Sequence, residues 1–173
     1  VIWSFVFMLI IMQFIGGFSR LRLLFKQPKQ LMVLTITSIL IAGNWLLFIW
    51  AVNNDHMLDA SLGYFINPLL NVLLGMLFLG ERLRKLQWFA VSLASAGVLI
   101  QLISFGSIPI VSLALAGTFG FYALLRKKVN VDAKAGLLVE TAVLLPVALI
   151  YLVATLDTAT ASMLTNDWQL NLM

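Results

Sequence analysis

The chain has 173 residues, 62% of them hydrophobic and only 10% charged, with a net charge of +4 and no cysteine. A soluble domain carries about a quarter charged residues, so a mean hydropathy of +1.03 excludes a water-covered fold and makes lipid the main solvent. Without cysteine there is no disulfide or thiolate metal site, and His56 as the single histidine excludes a histidine-built metal centre.

In chain order, apolar runs place membrane crossings at 1–18, 30–52, 60–80, 86–104, 107–125 and 135–156. Each is continuous and close to the roughly 20 residues a helix needs to cross a bilayer, whereas barrel strands are about 10 residues of alternating polarity. The expectation is an all-α, polytopic transmembrane helix bundle forming a single domain. The first run, "VIWSFVFMLIIMQFIGGF", has neither the charged start nor the small-residue cleavage site of a signal peptide. It begins inside an apolar stretch, and "NDWQLNLM" ends where another begins. The chain is therefore expected to be part of a larger membrane protein, truncated at both ends.

The basic residues orient the bundle. Arg20, Arg22, Lys26 and Lys29 follow the first run, Arg82, Arg84 and Lys85 the third, and Arg126, Lys127, Lys128 and Lys134 the fifth. These are all eleven basic residues of the chain. The alternate connections "NNDHMLD", "SFGSIP" and "TLDTATASMLTNDWQ" contain none. Cytoplasmic loops of membrane proteins carry such an excess, so loops 19–29, 81–85 and 126–134 are expected in the cytoplasm. The net charge then sets topology and touches anionic headgroups; it does not indicate nucleic acid.

The second run, with "GNWLLFIWAVNN", sets Asn44 near mid-span on a face with Thr37 and Ala51, where it could meet the third run. Trp45 and Trp50 are large amphipathic rings, and Trp50 reads as an outer-interface belt residue. The third run is the unusual one. Ser61, Tyr64, Asn67 with Pro68, Asn71 and Gly75 share one helical face. Pro68 removes the donor that the Tyr64 carbonyl would use, and polar groups left unpaired in hydrocarbon cost several kcal/mol. Two readings fit: amides that bond neighbouring helices, or a stripe lining a wet cavity near the midplane. Gly80-Glu81 ends this run. A carboxylate is disfavoured at a helix C-terminus, so Glu81 is expected in an anchoring ion-pair cluster with Arg82, Arg84 and Lys85.

The fourth run offers Ala90, Ala94, Gly97 and Gln101 on one face, and the fifth Ser112, Ala116, Gly120 and Ala123. Small residues let helices approach in lipid, which predicts a tight antiparallel pair. Pro109 falls in the first turn of the fifth run, where it costs no hydrogen bond. In the sixth run Glu140 is the one ionisable residue clearly within a span. Intramembrane acids are functional candidates, so it is a coupling candidate; the alternative is snorkelling, or pairing with a base of 126–134. Pro146 frees the Ala142 carbonyl and predicts a kink.

The runs "ASLGYFINPLLNVLLGMLFLGERL", "GNWLLFIWAVNN" and "LVETAVLLPVALIYL" resemble EamA-type permeases of the drug/metabolite transporter superfamily, in their RarD branch. There a helix begins Ala-Ser, carries a mid-span Pro and ends Gly-Glu, matched here by Ala60-Ser61, Pro68 and Gly80-Glu81. The resemblance covers essentially the whole chain. It implies ten helices in two inverted five-helix repeats, with helices two to seven here and a repeat boundary near 105–109. It further implies secondary transport of a small metabolite or drug by alternating access in the bacterial inner membrane, with midplane sites. The substrate, transport direction, coupling ion and oligomeric state are not implied. No enzymatic constellation and no cofactor are expected. A non-catalytic scaffold is the main rival, and an intramembrane enzyme would need paired acids or a Ser/Lys dyad within the spans.

Overall fold

The computed structural model describes residues 1–15, 18–106 and 108–155. It contains helices α1 (Ile2–Ile15), α2 (Phe18–Leu24), α3 (Pro28–Asn53), α4 (Met57–Leu79), α5 (Lys85–Phe105), α6 (Ile110–Lys128) and α7 (Ala133–Thr155). Five of them, α3 to α7, are long and apolar enough to cross a membrane, and residues Ile2–Phe14 of α1 form a shorter apolar helix. The predicted connection "TLDTATASMLTNDWQ" lies, after its first residue, outside the described residues.

Local chemistry sets the helix ends. Pro28 opens α3 at a position where its missing N–H costs nothing. Gly80 at φ +66° and Gly106 at φ +72° turn the chain out of α4 and α5 in the left-handed region that glycine tolerates. Gly80 and Glu81 both direct their backbone N–H groups to the Gly75 carbonyl. Pro109 stands one residue before α6, as its cap. The helices α4 and α7 run unbroken through Pro68 and Pro146.

Two helix pairs meet along α3: α4 packs on α6, α1 packs on α7, and α3 touches both α6 and α7. Met8 and Met12 of α1 are buried with Ala135 and Leu138 of α7. Ala51 of α3 joins Ala60 of α4 and Leu115 of α6. Leu24, Leu34, Val129 and Val139 form a further cluster. This explains why part of the expected loop 19–29 is helical: α2 lays Leu21 and Leu24 onto that core.

The expected tight pair of the fourth and fifth runs does not form. The small face of α6, with Ser112, Ala116 and Gly120 buried, is occupied by α4. A Cβ on Gly63 would stand 3.1 Å from the Ser112 carbonyl oxygen, so the two backbones nearly touch there, and Leu70 and Leu74 fill the notch at Gly120. The Ser112 hydroxyl donates to the Asp59 carbonyl at 2.5 Å. By contrast α5 touches only α4 closely, and none of its described residues is buried. Leu86, Phe89 and Ile103 of α5 are exposed, as suits a lipid-facing helix.

Candidate functional site

The predicted polar stripe divides into parts with different partners. Asn44 of α3 donates its amide to the Leu115 carbonyl and to Thr118 Oγ1, both at 2.8 Å. Thr118 in turn donates to the Ala114 carbonyl at 2.8 Å. One amide thus ties mid-α3 to α6, where a polar group in hydrocarbon needs a partner. Asn44 meets the α4 stripe across a cleft lined by Ala60, Gly63, Tyr64, Asn67, Leu115 and Phe119. Its face mates diverge. Ala51 enters the core beside Ala60, and Thr37 turns to α7.

Tyr64 is exposed on the cleft rim and packs its ring edge-to-face on Phe48, which does the same with Trp45. Asn67 and Asn71 bond each other, Asn71 Nδ2 donating to Asn67 Oδ1 at 3.1 Å. Neither amide bonds a neighbouring helix among the described residues, contrary to the first reading of the stripe. Ser61 is exposed and donates to the Leu58 carbonyl of its own helix, which separates it from the cleft. Pro68 is exposed as well. The cleft encloses about 20 Å³, room for one water molecule and far below the several hundred Å³ of small-molecule sites. In this conformation it is closed to a substrate.

The end of α4 corrects the expected cluster. Glu81 forms its ion pair with Lys127 of α6, not with Arg82, Arg84 or Lys85. Its carboxylate folds over Gly75, where a Cβ would meet Oε2 at 2.7 Å. Asn71, Glu81 and Lys127 line one cleft at this junction. Gly80 is the left-handed residue that lets the chain turn back.

Glu140 is buried, only 3% exposed, and its pairing alternative is the one observed. Arg126 Nε lies 3.2 Å from Glu140 Oε1, and the Thr37 hydroxyl reaches the same oxygen at 2.7 Å. The Tyr122 hydroxyl interacts with both Arg126 and Glu140. Arg126 Nη2 also donates to the Ala133 carbonyl at 3.1 Å, and its guanidinium occupies the space that a Cβ on Gly136 would need. The site therefore joins α3, α6 and α7. Sequence reasoning missed Thr37, Tyr122 and Gly136 as members. Their signal was spacing: Tyr122 and Arg126, like Gly136 and Glu140, stand four residues apart on one helical face.

At the opposite end of α3, His56 Nδ1 lies 3.0 Å from Asp59 Oδ2. Trp50, expected as a belt residue, stacks on the His56 ring at 5.3 Å. Among the described residues no group of three histidine or acidic side chains could hold a metal ion.

Sequence comparison places this geometry in a family, since the EamA-like transporter family matches residues 1–103. The chain belongs to the EamA-like transporter family. It is similar to an uncharacterised transporter of Vibrio cholerae, 58% identical over all 173 residues. It is 57% identical over its whole length to Protein RarD of Escherichia coli and to Protein RarD of Salmonella typhi. It spans 57–59% of the length of these relatives. No solved structure matches the chain. Family membership and five long apolar helices make this EamA-like chain a multi-pass membrane protein.

Proposed function

We propose that the protein is a secondary transporter, not an enzyme, moving a small metabolite or drug across the bacterial inner membrane by alternating access. Its basic loops lie in the cytoplasm, and two inverted repeats meet near 105–109. The substrate path follows the cleft between α3, α4 and α6. The carrying observation is the placement of Asn44, Tyr64 and Asn67 around one cleft between membrane-crossing helices. Stability alone would favour leucine at such positions. The amides can bind a polar solute once α4 and α6 part, and the 20 Å³ cleft is the closed state of that path. Pro68 supports this reading, because a helix lacking one backbone donor at mid-span bends more readily there. The family and the relatives named as transporters support the activity.

The test is transport by the complete gene product in proteoliposomes, across a panel of metabolites and drugs. Asn67→Leu and Asn71→Leu should fold and lose most of the flux of any transported compound. Normal transport by both folded variants would remove these amides from the substrate path and overturn that reading of the stripe.

A further inference from the structure

The basic end of the molecule contains a second groove, which the transport path does not use. It lies between the start of α3 and the end of α6 and encloses about 360 Å³. Lys29, Gln30, Lys128 and Asn130 form its polar lining, while Val33, Leu125 and Val129 form its apolar wall. No carboxylate lines it. Of the acids at this end, Glu81 pairs with Lys127 and Glu140 with Arg126, and Asp132 accepts from the Ala135 backbone N–H in the first turn of α7. Lys29, Gln30 and Asn130 have no side-chain partner among the described residues, and Lys128 rests its ammonium over the Phe78 ring, 5.5 Å from the centroid.

We infer that this groove holds the headgroup and first acyl carbons of an anionic phospholipid from the leaflet at the basic end. Three features select that occupant. Two cations and two amides with no acid in the lining suit a phosphodiester, whose oxygens accept hydrogen bonds and whose charge needs compensation. The apolar wall would be wasted on free phosphate but suits the glycerol and upper chain of a lipid. The groove also lies where α3 begins and α6 ends, at the level where membrane-crossing helices leave hydrocarbon. Basic pockets at that depth recognise anionic lipids, and each lysine near the surface contributes about a fivefold gain. The bound lipid would tie α3 to α6, the helices already joined by Asn44 deeper in the bundle.

The test is native mass spectrometry of the complete gene product, titrated with phosphatidylglycerol, with phosphatidylethanolamine and with inorganic phosphate. Phosphatidylglycerol should bind preferentially. Lys29→Gln and Lys128→Gln should each weaken it about fivefold and together about 25-fold. Lys29→Arg with Lys128→Arg should retain binding. Val33→Phe, which fills the apolar wall and keeps every charge, should weaken phosphatidylglycerol without affecting exposed charge. Arg82→Gln, an exposed base outside the groove, should change it less than twofold. The proposal is overturned if the double glutamine variant binds like the wild type, or if Arg82→Gln costs as much as either lysine. Displacement of the lipid by millimolar inorganic phosphate would also overturn it, because that result marks a simple anion site.

Discussion

Arg126 and Glu140 form a buried ion pair at 3.2 Å that joins the end of α6 to the second turn of α7. The two side chains are 16% and 4% exposed, so water screens them little. Their other contacts strengthen this junction and extend it to α3. Thr37 reaches Glu140 from α3, and Arg126 also holds the Ala133 carbonyl. Such a pair is costly to bury and more costly to break.

Removing one partner should therefore be worse than removing both. Arg126→Leu strands a buried carboxylate and should cost about 3–5 kcal/mol. The double variant Arg126→Leu/Glu140→Leu should recover much of that loss. Thermal unfolding of the four proteins of this cycle in detergent measures the coupling; additive losses would show that the pair contributes nothing beyond its members.

Glu140→Gln separates charge from shape. Thr37 has one hydroxyl proton, yet its oxygen lies 2.7 Å from Glu140 Oε1 and 2.9 Å from the Leu34 carbonyl. With an ionised Glu140 the proton is directed at the carboxylate. Arg126 Nε lies 3.2 Å from the same oxygen, so in Glu140→Gln the amide oxygen has to take this position, where it still accepts from Thr37 and Arg126. A neutral amide thus keeps the hydrogen bonds but leaves the Arg126 charge uncompensated, so the variant should lose stability, though less than Arg126→Leu. Glu140→Gln should fold, and a shifted pH profile of transport would identify Glu140 as a coupling group. An unchanged profile would leave it a structural junction.

Gly136 is required by its neighbour. A Cβ there would overlap the Arg126 guanidinium at 2.2–2.4 Å. Gly136→Ala should displace the arginine and reproduce part of the Arg126→Leu loss, and it should cost little more in an Arg126→Leu background. Gly97→Ala on α5 meets nothing within 4 Å and should be neutral or slightly stabilising. Melting temperatures of these variants check both statements.

Gly63 should be equally intolerant for a different reason. Its neighbours are the Ser112 backbone and the Leu115 Cβ at 3.1–3.3 Å, which cannot swing away as a long side chain can. Gly63→Ala should cost about 1–3 kcal/mol through overpacking, and Gly63→Leu should prevent α4 from seating on α6. Disulfide trapping between cysteines placed on α4 and α6 reads that seating directly.

The membrane class and most helix limits were legible in the sequence, because apolar run length is a one-dimensional signal; the isolation of one acid among apolar residues singled out Glu140 but left coupling, snorkelling and pairing open. Which helices pair was not. Two small-residue faces, on α5 and α6, looked equivalent as patterns. The structure separates them because Gly63 of α4 and its Ser112 contact claim the α6 face, a match between residues about 50 positions apart. The same limit hid Lys127 as the partner of Glu81, since nearer bases were present in sequence. The stripe of Ser61, Asn67 and Asn71 was correctly aligned on one helix, but spacing cannot show which members turn onto their own backbone. Ser61 does, and the two asparagines satisfy each other.

Thiol accessibility in the bilayer tests the transport path most directly, and residues 1–173 add no cysteine of their own to the background. Cysteines replacing Tyr64 or Asn67 at the cleft, and Ile103 on the exposed face of α5, would be probed in vesicles with membrane-impermeant thiol reagents from each side. An alternating-access path predicts that Tyr64→Cys and Asn67→Cys label from both sides and are protected by a transported compound, while Ile103→Cys labels from neither. Labelling of the cleft positions no faster than Ile103→Cys from both sides would contradict the account.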